Sequence, residues 1–123
     1  MGETVFDINV ETIGEIAVVQ CAGRLVHSDA AFRLRDIILS HANARVVVVD
    51  LSEVDAIEGG GLGMLAHIQR WARDHNLKLK LFNPSNRVQD GLNRAWMPTL
   101  DIATTDELIA LLQHGNEERV TQP

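Results

Sequence analysis

Val46 to Val49 form an unbroken run of four β-branched residues, closed by Asp50 and Leu51. Such a run reads as a strand buried on both faces. Upstream, Thr4 to Val10 alternates, with Val5, Phe6, Ile8 and Val10 apolar; Glu11 to Gly14 is polar and turn-like; Glu15 to Cys21 is apolar again. That pair predicts an antiparallel hairpin. Ala22-Gly23-Arg24-Leu25 reads as the chain leaving the sheet. Ser28 and Asp29 are good N-caps for a helix to about His41, with Phe32, Leu34, Ile37 and Ile38 near helical spacing, and Asn43 ends it. Arg45 to Leu51 is the central strand. Gly60 to His75 is a second helix with Gly61, Leu65, Ile68 and Ala72 as its core stripe, stopped by Asn76. Leu77 to Phe82 is a strand whose Lys78 and Lys80 place a polar side outward or at an edge. Ser85 opens a third helix to about Trp96, and Met97-Pro98-Thr99 breaks it. Leu100 to Ala103 is a short strand, and Thr105-Asp106-Glu107 caps a last helix, Leu108 to His114. Residues 116–123 read as a polar, frayed tail after a single domain over 1–115.

The predicted order is β-β-α-β-α-β-α-β-α. Strands and helices alternate after the hairpin, as crossovers to parallel strands require. The fold class is therefore α/β: a mixed sheet of about five strands with about four helices packed on it.

Composition narrows the function. The chain has 123 residues, 46% hydrophobic and 23% charged, enough for one domain with one core. Seventeen acidic against eleven basic residues give a formal charge of −6, which argues against nucleic acid as a partner. It would steer a basic protein partner toward the surface. One cysteine, Cys21, fits a reducing, cytoplasmic setting and reads as a small buried apolar residue. No apolar run approaches the ~20 residues of a membrane span. The N-terminus does not read as a signal peptide, and Phe6 stands where an acylation motif needs Ser or Thr.

Candidate chemistry concentrates between the valine strand and the second helix. Asp50, Asp55 and Glu58 read as a solvated acidic loop with helix-capping carboxylates. Gly59-Gly60-Gly61-Leu62-Gly63 follow. A mononucleotide P-loop needs Gly-Lys-Ser/Thr where this chain has Gly-Leu-Gly, and a dinucleotide fingerprint needs glycine where Met64 stands. Gly63 is placed for close packing of helix on sheet. A receiver domain also ends a strand in Asp, but it needs an acidic pair and a lysine where this chain has Gly23-Arg24 and Asn83-Pro84. The five histidines, 27, 41, 67, 75 and 114, form no metal-ligand pair. No Ser-His-Asp or Cys-His arrangement can be argued from spacing. The reading is a non-enzyme without cofactor or metal. Trp71 and Trp96 divide between core and interface, and Leu62, Met64 and Trp71 lie beside the core stripe.

These residues together resemble the STAS domain, the fold of bacterial anti-sigma factor antagonists and of the cytosolic tails of sulfate transporters. The resemblance spans about Thr4 to Gln113. It rests on the element order, on Gly23-Arg24-Leu25, and on Asp50-Leu51-Ser52 through Gly61-Leu62-Gly63. Asn83-Pro84-Ser85 with Val88 and Leu92, and Thr105-Asp106-Glu107-Leu108, also fit. The family signature ends in Asp-Ser-Ser-Gly-Leu-Gly or Asp-Ser/Thr-x-Gly-Leu, and its hydroxyl is phosphorylated by a kinase that doubles as the anti-sigma factor. Here the Asp falls on Glu58, Gly59 and Gly60 replace the next two residues, and Gly61-Leu62-Gly63 matches. The resemblance implies partner switching with a kinase-like anti-sigma factor and no phosphoacceptor at the family position. It places partner binding on Glu58, Gly59, Gly60, Gly61 and Leu62, with Gly23, Arg24 and Leu25 nearby. Ser52 and Ser28 are other hydroxyls that could carry the switch. Short STAS proteins lacking the serine also serve as subunits that hold the ATPase of lipid ABC transporters, which gives a second expectation. A nucleotide- or anion-binding module is a third. A homodimer is compatible with each.

Overall fold

Five strands and four helices are present among the residues that a computed structural model describes, 6–26, 28–57, 59–94 and 102–120. They are β1 (Asp7–Ile13), β2 (Ile16–Leu25), α1 (Ser28–Ser40), β3 (Val46–Ile57), α2 (Gly60–Asp74), β4 (Lys78–Phe82), α3 (Asn86–Arg94), β5 (Ile102–Ala103) and α4 (Thr105–Val120). The sheet order is β1-β2-β3-β4-β5. β1 pairs antiparallel with β2, and the other neighbours pair in parallel. The expected α/β order and mixed sheet are therefore found.

β3 lies at the centre, and its valines are buried on both faces: Val46 is 3% exposed and Val47, Val48 and Val49 are 0%. The pleat divides neighbouring residues between two layers. Ala17, Val19, Cys21, Val47, Val49, Leu79 and Leu81 meet Leu34, Ile38, Leu65, Ile68, Val88 and Leu92 of α1, α2 and α3 in the main core. Ile16, Val46 and Val48 face the other way, against Leu108, Leu111 and Leu112 of α4. Leu79 and Leu81 are buried while Lys78 is exposed and Lys80 half-buried, the polar side the lysine alternation predicts.

Element ends depart from expectation where polar residues read as breaks stay in the ladder. Glu11 to Ile13 are not a turn; they pair with Val18 to Ile16, leaving only Gly14-Glu15 to reverse the chain. Gly23-Arg24-Leu25 do not leave the sheet, because they pair with Val54, Ala56 and Ile57. β3 correspondingly continues past Leu51 to Ile57. Asn76, at φ 57, is the expected left-handed stop just after α2. The cap of α4 is Thr104, one residue before the expected run: its Oγ1 accepts the Glu107 N–H at 3.1 Å, and Glu107 Oε1 accepts the Thr104 N–H at 3.1 Å. α4 runs to Val120, past the expected end at His114. Ser85 caps α3 by accepting the Val88 N–H at 3.2 Å. Trp96, the Met97-Pro98-Thr99 break and Leu100 lie outside the described residues, as do Thr4 and Val5. No helix among the described residues is long and apolar enough to cross a membrane.

α1 buries Ala30, Ala31, Leu34 and Ile38, with Ile37 half-buried. Phe32, expected on this stripe, is 46% exposed. Two residues are about 200° apart around a helix, so Phe32 and Leu34 cannot share one face.

Candidate functional site

The joint between β3 and α2 is built by two irregularities in the β2–β3 ladder. Between Gln20 and Ala22 of β2, β3 advances from Asp50 to Glu53; between Gly23 and Arg24 it advances from Val54 to Ala56. Each step inserts one extra residue in β3, the signature of a β-bulge. At the first, Asp50 Oδ1 accepts both the Ser52 backbone N–H at 2.9 Å and the Ser52 hydroxyl at 2.6 Å. Asp50 thus holds a bulge in its own strand and caps no helix. Asp55 is an exposed strand residue. For Asp50 and Asp55 the expected solvated loop with capping carboxylates is therefore corrected: both are sheet, and the acceptor that hid this from the sequence is Asp50 itself. Glu58 lies outside the described residues.

Among the described residues, no side chain caps the start of α2. Its N-cap is Gly59, at φ 59 and ψ −122, and no acidic residue lies in the first turn. The positive φ accounts for glycine at 59. Gly61 has a different reason. A Cβ built there runs into the Leu25 carbonyl oxygen, and sits 3.0 Å from the Leu25 carbonyl carbon and Cγ. Leu25 is fully buried, so it cannot step aside. The first turn of α2 is thereby pressed onto the end of β2, bringing Gly23-Arg24-Leu25 and Gly59-Gly60-Gly61 into one place. The close packing expected of Gly63 belongs to Gly61. Gly63 is exposed, and a Cβ there meets nothing within 4 Å. Gly60 is exposed too. Among the described residues, the solvent side of the first turn of α2 is therefore bare backbone.

Beside it lie apolar residues. The stripe Gly61, Leu65, Ile68 and Ala72 is buried as expected. Leu62, Met64 and Trp71 are half-buried against the main core. Trp71 packs partly against the main core, and its ring stacks on exposed His75 with centroids 4.3 Å apart and planes 20° apart. Met64 and Trp71 are seven residues apart, two helical turns, and so share a flank. Phe32 on α1 was not recognised as a surface residue from sequence. The signal was present in the Phe32–Arg35 spacing: Arg35 lies over the ring at 5.1 Å from its centroid, and Asp36 holds that guanidinium at 2.9 and 3.1 Å.

A cavity of about 400 Å³ lies at the first bulge, lined by Asp7, Asn9, Gln20, Asp50, Ser52 and Glu53 among others. Three carboxylates in its wall disfavour phosphate, and none of the α2 glycines borders it. Burial, with the negative charge of Asp50 adding to it, pushes the Cys21 thiol up from 9.0 to about 12. It is a neutral core side chain. Among the described residues, no His, Cys, Asp and Glu groups converge to hold a metal.

A mixed sheet of this order, with a helix start pressed against the end of β2, defines an α/β domain of the STAS type. The chain belongs to the STAS domain family: the family model described as "Mlab, STAS domain" matches residues 8–104. No curated protein matches it. Among solved structures it is similar to the anti-sigma factor antagonist SpoIIAA in its unphosphorylated form, at 19% identity and TM-score 0.70, covering 88% of this chain and 97% of that one. It is similar to RsbS of Moorella thermoacetica at 16% identity and TM-score 0.70, covering 87% and 95%. It is also similar to the murine solute carrier 26 family member A9 anion transporter at 12% identity and TM-score 0.67, covering 85% of this chain but 18% of that one. At these identities the likeness is one of fold.

Proposed function

We propose that this chain is a non-enzymatic regulatory binding domain of the bacterial cytoplasm that docks a kinase-like anti-sigma factor and is not released by phosphorylation at the family position. The observation that carries the reading is the bare start of α2. Glycine costs up to ~1 kcal/mol relative to alanine inside a helix. Gly61 recovers that cost by letting α2 approach Leu25, and Gly59 by its positive φ. Among the described residues Gly63 recovers nothing, since an added Cβ meets none of them within 4 Å. A surface kept free of side chains lets a partner's backbone approach closely. Phosphate on a hydroxyl at this place would add about −1.5 to −2 charge and expel such a partner. Gly59 and Gly60 offer no hydroxyl, so the surface stays competent to bind. Glu58, Gly59, Gly60, Gly61 and Leu62, with Gly23, Arg24 and Leu25, form the contact. SpoIIAA, which shares the fold, is an anti-sigma factor antagonist with an unphosphorylated form.

A purified complex tests this. The chain and a kinase-like anti-sigma factor from the same genome are expected to co-elute, with or without ATP. Separate elution in both conditions would sink the reading. A second reading, binding to the ATPase of a lipid ABC transporter, is favoured by the same missing hydroxyl together with the partly exposed Trp71 indole as an anchor. Co-elution with such an ATPase and not with the kinase would favour it.

A further inference from the structure

We propose that β1 is a self-recognition edge: two copies of this chain join antiparallel through β1, in the register that sets Val10 opposite the second copy's Val10. The surface differs from the start of α2, and the inference does not depend on the partner reading. Among the described residues the sheet has two edges, β1 and β5. β5 is only two residues long, Ile102–Ala103, and very short edge strands resist pairing. β1 has seven residues, pairs with β2 without a bulge, and contains no proline, glycine or lysine. Bulges, prolines and lysines are devices that close an edge to other chains.

The outward backbone groups follow from the turn. Gly14, at φ 60, opens the two-residue reversal Gly14-Glu15 between the paired Ile13 and Ile16. The pair flanking such a turn exchanges both hydrogen bonds, and bonded pairs alternate from there. Asp7, Asn9, Glu11 and Ile13 therefore bond to β2, while Ile8, Val10 and Thr12 direct N–H and C=O away from it. Phe6, next in that series, already accepts a hydrogen bond from the Arg33 guanidinium, so the open edge begins at Ile8. All three outward residues are β-branched, the type that suits a strand, and Val10 is their midpoint. Pairing about Val10 sets Ile8 against the second copy's Thr12, with two hydrogen bonds at each such pair.

Charge fixes the register. Asp7 and Glu11 are the charged residues of β1, and both are exposed. A two-residue slip one way centres the pairing on Asn9 and sets Asp7 against the second copy's Glu11. A slip the other way sets Glu11 against the second copy's Glu11. Like charges directly opposite are destabilising. The register about Val10 sets Glu11 against Asn9 and Asp7 against Ile13, so this strand matches itself. Ile8 and Val10 are half-buried against the main core, and a second strand beside them removes further apolar surface from water. A contact along one strand edge is small, so the dimer is weak and concentration-dependent. The formal charge of −6 on each copy opposes association, and salt screens it.

The test uses the native chain first. Sedimentation from about 1 to about 500 μM is expected to show monomer giving way to dimer, at lower concentration when salt is added. Residue-resolved hydrogen exchange is expected to slow the Ile8, Val10 and Thr12 amides at the high end and to leave Asn9 and Glu11 unchanged. Thr12→Pro removes an outward N–H and no bond to β2, so it should weaken dimerisation about tenfold or more with an unchanged circular dichroism spectrum. A native chain that stays monomeric throughout overturns the inference. A dimer whose Ile8, Val10 and Thr12 amides exchange as fast as the monomer's also overturns it, since another surface then joins the copies. Either result leaves the partner reading standing.

Discussion

Replacing Gly61 with alanine adds a single methyl group where the first turn of α2 is pressed onto Leu25. The new Cβ would run into the carbonyl oxygen of Leu25 and come within 3.0 Å of its carbonyl carbon and Cγ. The obstacle is backbone in a paired strand, and the attached side chain is fully buried, so neither can swing away. α2 must shift as a unit. Inserting a methylene-sized group into a packed core costs ~1–3 kcal/mol. Alanine returns up to ~1 kcal/mol through helix propensity. Because the obstacle is backbone, the upper end of that cost applies, and the net is a loss of about 2 kcal/mol. For a chain of this length, 1 kcal/mol corresponds to about 3–6 °C in Tm, between the ranges for shorter and longer domains. Urea unfolding followed by circular dichroism reads the loss as a lower midpoint at constant m. The shift of α2 also displaces Gly59 and Gly60, so partner affinity should fall by more than stability alone explains. A Gly61→Ala chain as stable as the native one would refute the claim that contact with Leu25 sets the position of α2.

Gly63→Ala makes the matched contrast: with nothing within 4 Å of the added Cβ, it should raise stability by up to ~1 kcal/mol and weaken partner binding, measured by the same unfolding assay and by titration. Gly60→Asp should raise stability by ~0.3–1 kcal/mol, since a carboxylate near the uncapped helix N-terminus meets the positive end of the dipole. The same charge should abolish docking, so stability and affinity are expected to move in opposite directions. The Cys21 thiol ionises near 9.0 when unfolded but only near 12 when folded, so the unfolded state sheds its proton first. Stability from this group is present below pH 9 and is lost as pH rises toward 12, by ~1.4 kcal/mol per pH unit. Unfolding midpoints across that window should show the slope in the native chain and not in Cys21→Ala. Thiol-reactive dye at pH 8 should label Cys21 only after denaturation.

The architecture was legible because its signals were long and redundant. Four consecutive valines specify a strand covered on both sides, and Gly61, Leu65, Ile68 and Ala72 repeat at helical spacing, as observed. Errors arose where one polar residue satisfies its neighbour's backbone. Asp50 binds Ser52, so a stretch that reads as loop stays in the ladder as a bulge. Gly23, at φ 107, does not end β2, because β3 absorbs the irregularity with an extra residue. The glycine cluster could be found but not apportioned. Whether a glycine serves a turn, a close approach or an open surface depends on what stands opposite its missing Cβ, and for Gly61 that is Leu25, 36 positions earlier in the chain. Apolar Ala30, Ala31 and Leu34 around Phe32 suggest an inward position, although its angular position on α1 turns it outward.

The most direct measurement titrates the kinase-like anti-sigma factor into this chain with and without ATP and magnesium, then weighs the chain by mass spectrometry. A permanently competent surface gives the same affinity in both conditions and a chain of unchanged mass. Release of the complex by ATP, with a phosphate found on Ser52, Ser28 or any other residue of this chain, would contradict it.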